Sequence, residues 1–421
     1  MSAAPRAHDL VLWGATGFTG RLVAEYLVRA LERNPGPRLA LGGRNLEKLT
    51  RVRANLAQEV PAAAQLPLVI AEGRSAAELE VLVRNARVVV STVGPFSLHG
   101  RELVAACAKH GTHYCDITGE VAFIRQMIDA HHAAAELSGA RIVHCCGFDS
   151  IPSDLGVLML QQHLQKSQGH PCPEVRFVLT HSRGGVSGGT LASGLNFLEE
   201  SQKDPTLRRL VSEPYGLVGA GVRGPDGRDQ RGVRWDGALG GWTGPFVMAG
   251  VNSQVVRRSN ALMGHAYGKE FRYSEVVGFS SGPAGWLQAA GLSAATVGFF
   301  AVASSRVGRA LLRPLLPKPG AGPSVATRER GSFSVKLFGL AEAGNADSVV
   351  AVGEVRGKSD PGYSETAKML GESALCLWRK DAGAVSHGGV LTPAAALGMP
   401  LLARLQEAGM TFEVRSLQAK S

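Results

Sequence analysis

The stretch "LVLWGATGFTGRLVAEYL", residues 10–27, decides the fold. An apolar run of strand length, Leu10 to Trp13, meets three glycines spaced by three, Gly14, Gly17 and Gly20. Beyond them Leu22, Val23, Tyr26, Leu27 and Ala30 recur at helical spacing. A strand that hands the chain to a helix in this way brings backbone N–H groups and the positive end of the helix dipole to one point. The first glycine permits the tight turn, the second lets a pyrophosphate approach the main chain, and the third lets helix and strand pack closely. The turn Gly14, Ala15, Thr16, Gly17, Phe18, Thr19 and Gly20 is therefore expected to bind a dinucleotide. Glycine is abundant, 53 of 421 residues, so the string alone is weak. The strand before it and the helix after it carry the reading.

The second strand, "RLALGGRN" from Arg38 to Asn45, discriminates between dinucleotides. NAD sites place an acidic residue about 20 residues past the turn, where it binds the ribose 2′-OH. None stands here; the strand ends in Arg44, with Lys48 one helical turn on. A guanidinium suits a 2′-phosphate, so NADP(H) is expected ahead of NAD(H). The alternative is that Arg44 is a solvated loop arginine.

Further strands read as "ARVVVSTVGPFSLHG", "THYCDITGE" and "ARIVHCCGFDSIPSDLG", each alternating with a helical pattern. Such alternation gives right-handed βαβ units and a parallel sheet that binds ligands at the carboxyl ends of its strands. Those ends add Thr92, Val93, Gly94, Pro95 and Phe96 to the cofactor set. They also supply the candidate catalytic residues: Asp149 and Ser150, with Asp116 and Glu120 at the neighbouring strand end. Each has a bland alternative. Asp149 or Ser150 can cap a helix with Pro152 in its first turn, and Asp116 and Glu120 can be ion-paired or solvated. Tyr114 can donate a proton, though an aromatic in an apolar strand reads as core. His131, His132 and His144 have no triad or metal spacing, and no metal is expected.

Past residue 155, "PEVRFVLTHS", "RGSFSVKLFG" and "DSVVAVGEVRG" alternate with period two, which predicts an antiparallel, half-exposed sheet. Helical patterns at Ser364 to Trp378 and Pro393 to Ala408 are expected to cover it. The fold class is thus α/β, with an N-terminal Rossmann-type parallel sheet over 1–153 and a C-terminal α+β domain for substrate or dimerisation over 154–421. Residues 213–245, which include "GVRGPDGRDQRGVRWDGALGGW", read as a lid loop. "GGVSGGTLAS" at 184–193, with Ser187 and Thr190, reads as a turn able to close over the nicotinamide, or as a plain tight turn.

Six cysteines without a C-x-x-C pair sit in apolar runs, as reduced core residues do, and no apolar leader precedes the first strand, so a cytoplasmic protein is expected. The net charge of +10 comes without a basic-aromatic stripe, which speaks against nucleic acid and leaves anionic cofactors or an anionic membrane surface. The apolar segment 276–320 bears on that choice. Residues 276–305 carry no charge, and Arg306, Arg309, Arg313 and Lys318 follow. The expectation is peripheral attachment to an anionic lipid surface through a basic amphipathic segment, and the alternative is a buried Ala/Gly-rich helix or the interface helix of a homodimer.

In their order and spacing, "GATGFTGR", "STVGPF", "YCDITGE", "GFDSIPSDLG", "GGVSGGTLAS", "VVRRS" and "GGVLTPAAALG" resemble the saccharopine dehydrogenase-like oxidoreductases, which include trans-acting enoyl reductases. The resemblance covers nearly the whole chain. It implies a nicotinamide-binding Rossmann domain, a C-terminal α/β domain and hydride transfer to a small-molecule substrate. The expected function is an NADPH-dependent oxidoreductase reducing an enoyl or similar apolar acyl, lipid or polyketide-type substrate. The alternatives are a saccharopine-type amino-acid dehydrogenase, with Arg257 and Arg258 clamping carboxylates, and a non-catalytic NADP-binding protein at a membrane.

Overall fold

The computed structural model describes residues 6–34, 36–184, 209–210, 212–219, 221–312, 322–381, 383 and 385–417. The expected turn at 184–193 lies outside them apart from Gly184. Two seven-stranded sheets organise the chain. The first contains β1 (His8–Trp13), β2 (Leu39–Gly43), β3 (Leu68–Ile70), β4 (Ala86–Ser91), β5 (His113–Asp116) and β6 (Arg141–Val143). A late strand, Gly389–Leu391, pairs with β6, and the spatial order is that strand followed by β6-β5-β4-β1-β2-β3. Every pair is parallel. The order reverses between β1 and β4, so the switch point where such sheets bind ligands lies beside the glycine turn.

The inner stretches of β1 and β4 are apolar because helices cover both faces of a parallel sheet. Leu10, Val11 and Leu12 of β1 and Val88, Val89 and Val90 of β4 are fully buried.

The helix Phe18–Arg33 starts at the turn, and its start depends on glycine. A Cβ on Gly20 would lie 2.1 Å from the Gly14 carbonyl oxygen, and Gly14 itself adopts a φ of +93°. The carbonyl belongs to the turn, so no side-chain movement relieves that contact.

The described residues of 1–148, 319–322 and 362–405 form one compact unit, and those of 149–318, 323–361 and 406–421 a second. The helix Thr366–Arg379, expected on the second sheet, packs on the helix Phe18–Arg33 and on β4 and β5. Gly371 makes this close approach possible, since a Cβ there would lie 2.5 Å from the Tyr26 ring. Tyr26 donates its hydroxyl to Glu372, and Arg404 pairs with the same carboxylate at 2.6 Å.

The second sheet contains β7 (Glu174–Arg183), β8 (Arg234–Asp236), β9 (Gly241–Pro245), β10 (Arg272–Gly278), β11 (Ser332–Leu340) and β12 (Val349–Gly357). With β13, the Gly389–Leu391 strand of the first sheet, already counted, the last strand is β14 (Thr411–Ser416). The order β14-β12-β11-β7-β10-β9-β8 is mixed and not antiparallel as expected, because β10 runs parallel to β7. The segment 213–245 contains regular structure. Part of it forms the β8–β9 hairpin, where Trp235 pairs with Trp242 across the strands at 5.3 Å. Another part is pinned by Asp226, which receives Arg257 Nε at 2.6 Å.

If the turn depends on a bare Cα at residue 20, Gly20→Ala lowers unfolding stability by about 1–3 kcal/mol or more, the usual cost of overpacking. Denaturant unfolding followed by circular dichroism checks this; an unchanged midpoint contradicts it.

Candidate functional site

The carboxyl ends of the first sheet are tied to one another by hydrogen bonds. Thr92 donates its backbone N–H to Trp13 O at 3.0 Å, and its hydroxyl lies 3.3 Å from both Trp13 O and Gly14 O. The loop after β4 is thereby joined to the glycine turn. Glu120 receives the backbone N–H of Phe96 at 2.8 Å and of Ser97 at 2.9 Å, joining the β5 loop to the β4 loop. Cys146 N–H donates to Asp116 O at 2.7 Å and closes the row onto β6. The residues Gly14 to Gly20 and Thr92 to Phe96 therefore stand on one braced edge.

Gly17 caps the helix Phe18–Arg33 and has no side chain with which to bond the first-turn N–H groups. That geometry fits a phosphate. Arg44 is exposed at the end of β2, and Arg74, which the sequence reading did not single out, is exposed after β3. Neither makes a hydrogen bond or ion pair among the described residues. Burial, then the positive charges of Arg74 and Arg44, pushes the His99 imidazole below its usual value, so the two guanidinium groups act on one point.

The four candidate catalytic residues occupy different environments. Asp116 is fully buried: its Oδ2 receives the Tyr114 hydroxyl at 2.9 Å and lies 2.8 Å from His144 Nδ1, while Oδ1 receives Thr118 N–H at 3.1 Å. These bonds occupy the carboxylate in holding the end of β5. Glu120 spends both oxygens on the Phe96–Ser97 backbone and is a positioning residue for that loop.

Ser150 is the cap residue of the helix Ile151–Gln168, but its side chain makes no cap hydrogen bond. Its hydroxyl instead donates to Asn252 Oδ1 at 3.0 Å. Asn252 in turn donates to Glu275 at 2.9 Å, which also receives the Tyr273 hydroxyl at 2.7 Å. The partners of Ser150 lie more than a hundred residues away in the chain, and no local pattern points to them.

Asp149 differs from all of these. It has no hydrogen bond or ion pair among the described residues. Although half-exposed by area, it is enclosed closely enough that withdrawal from water alone raises its carboxyl to about 6.

Arg257 and Arg258, the pair a saccharopine-type alternative would use to clamp carboxylates, are engaged by the chain itself. Arg257 and Arg258 are both buried; Arg257 pairs with Asp226 and donates to Pro214 O and Tyr273 O, and Arg258 donates to Leu217 O. Both arginines anchor the segment 214–226.

Sheet order, glycine turn and second mixed sheet together define an α/β protein with a Rossmann-type dinucleotide-binding fold. The model of a family described as saccharopine dehydrogenase NADP binding domain matches residues 10–143. A trans-acting enoyl reductase of Mycobacterium tuberculosis (strain H37Rv) is 40% identical over 423 residues, covering 98% of this chain and 99% of that protein. One from Mycobacterium ulcerans (strain Agy99) is 39% identical over 428 residues, covering 99% and 100%. Among solved structures, saccharopine dehydrogenase (L-Glu forming) from Saccharomyces cerevisiae superposes with a TM-score of 0.51 at 13% identity, covering 97% of this chain and 100% of that one, which shows a shared fold. The chain belongs to the saccharopine dehydrogenase-like oxidoreductase family, and its cofactor is NADP(H).

Burial raises the Glu275 carboxyl from 4.5 to about 8. Below 4.5 folded and unfolded chains both carry the proton; between 4.5 and about 8 only the folded chain keeps it, so this group's contribution to stability falls as pH rises through that window. Glu275→Gln therefore gains stability relative to the parent between pH 5 and pH 9, by on the order of a few kcal/mol. Urea unfolding at both pH values checks this, and a pH-independent difference contradicts it.

Proposed function

We propose that the protein uses NADPH to reduce the carbon–carbon double bond of an α,β-unsaturated acyl thioester. The observation that carries the reading is Asp149, a carboxyl without a partner among the described residues, raised to about 6, that directly follows the β6 loop in the chain. Its place in the sequence matches the strand-end position from which such sheets present functional groups.

NADPH, when bound, supplies a hydride. The backbone at Gly14 to Gly20 would hold its pyrophosphate at the helix N-terminus, and Arg44 with Arg74 would hold the 2′-phosphate. Thr92 to Phe96, braced by Glu120, would orient the nicotinamide end. Asp149 in its acid form would deliver a proton to the α-carbon as the hydride is supplied to the β-carbon, leaving a saturated thioester, NADP+ and an Asp149 carboxylate. The carboxylate regains its proton from solvent. A donor near 6 holds its proton far better at neutral pH than an ordinary aspartate and still releases it readily.

The names of the full-length relatives support the acyl substrate. Occupation of Arg257 and Arg258 by groups of their own unit weighs against an amino-acid dicarboxylate.

Oxidation of NADPH followed at steady state tests the reading. An α,β-unsaturated acyl thioester is turned over, while lysine with 2-oxoglutarate is not. Asp149→Asn lowers kcat by about 10² or more and abolishes the decline of kcat/KM as pH rises through about 6. Comparable turnover of lysine with 2-oxoglutarate, or a pH profile that survives Asp149→Asn, overturns it.

A further inference from the structure

The helix Pro283–Ser304 is the least covered apolar element among the described residues. It has 22 residues, about 33 Å at 1.5 Å per residue, and by length and composition it suffices to cross a membrane. A core helix with that composition is mostly buried; here only Gly285, Ala289 and Ala303 are. Leu287 is 64% and Val297 61% exposed, and Trp286, Phe299, Phe300 and Val302 are exposed as well. At 100° per residue these six side chains cover roughly 260° of the circumference, and the narrow remaining arc holds the buried Gly285, Ala289 and Ala303. A helix that docks on a protein surface or pairs with a second copy buries a stripe; one that is apolar all round belongs in a core or in lipid.

The helix is anchored at its first half. Its Leu292 side chain and Ala289 carbonyl lie against Gly244 of β9, so a Cβ there would meet them at 3.3 and 3.4 Å. Its C-terminus is closed by Arg309, whose Nη1 donates to Ala303 O at 2.9 Å and Ser304 O at 3.1 Å. Arg309 thus serves the helix itself and is not a free surface charge as the sequence reading expected. Charge supplies the second observation. From Val276 to Arg328 there is no Asp or Glu, while Arg306, Arg309, Arg313, Lys318 and Arg328 fall in the same segment. A long acid-free basic stretch beside an apolar helix complements an anionic lipid surface.

We propose that Pro283–Ser304 docks the protein on an anionic lipid bilayer with its apolar side chains in the acyl boundary, the positive net charge of the acid-free sequence 276–328 favouring anionic over neutral headgroups. The docking stands apart from the enoyl-reductase reading, because it rests on the exposure and charge of this segment alone. It does bring the enzyme to a surface where long-chain apolar molecules partition.

Flotation of the full-length protein with vesicles tests the proposal, comparing phosphatidylcholine alone with phosphatidylcholine plus phosphatidylglycerol. The wild-type protein floats with the anionic vesicles and less with the neutral ones. Replacing Leu287, Val297 and Phe300 by Ser reduces the bound fraction about tenfold or more. These side chains are solvent-exposed, so NADPH affinity remains at the wild-type value and reports that the variant is folded. Wild-type protein that binds neither vesicle, or a triple variant that floats as the wild type does, overturns the proposal. A wild-type dimer that the triple variant dissociates, with no flotation, assigns the helix to a second copy and overturns it equally.

Discussion

Gly20 lies so close to the Gly14 carbonyl that neither position accepts an ordinary side chain, and the nucleotide-binding edge depends on that approach. It seats the helix Phe18–Arg33 directly on the end of β1 and leaves the cap at Gly17 without a side chain. The positive end of the helix is then turned to the switch point between β1 and β4. The Thr92, Glu120 and Cys146 hydrogen bonds extend the same constraint across β4, β5 and β6, so the loops that face a cofactor are held by backbone acceptors and one carboxylate. Preorganisation of this kind places the cost of ordering in folding and not in binding.

Four carboxyl groups of the chain illustrate how environment separates roles among identical side chains. Asp116 receives three groups and is consumed in structure; Glu120 receives two backbone N–H groups and braces a loop; Asp149 receives none and is left raised by desolvation. Glu275 has good hydrogen bonds and is still raised to about 8, because burial outweighs what Tyr273 and Asn252 return.

What could be read from the chain alone follows from how local each signal is. The turn and the parallel strands are encoded within runs of about 20 residues, and they were legible. The helix Thr366–Arg379 was legible as a helix but not as a cover for β4 and β5, because an amphipathic stripe records what is buried and not against which sheet. Ser150 carried a strong local cap signal, and a partner from the helix Ala249–Leu262 took its hydroxyl instead. Arg74 gave no sequence signal, since only the parallel pairing of β2 with β3 brings its loop beside Arg44. The segment Pro283–Ser304 was ambiguous for a different reason: a core helix and a lipid-facing helix share one composition and differ in exposure.

The central claim is that the glycine turn and the paired guanidinium groups of Arg44 and Arg74 select NADPH. Isothermal titration of the wild-type protein and of the Arg44→Ala/Arg74→Ala variant with NADPH and NADH tests it most directly. A charge-assisted hydrogen bond is worth about 1.5–3 kcal/mol, so the wild type binds NADPH at least about tenfold more tightly than NADH. The variant loses that preference while its NADH affinity holds. Equal affinities in the wild type, or a preference that survives both substitutions, contradict the account.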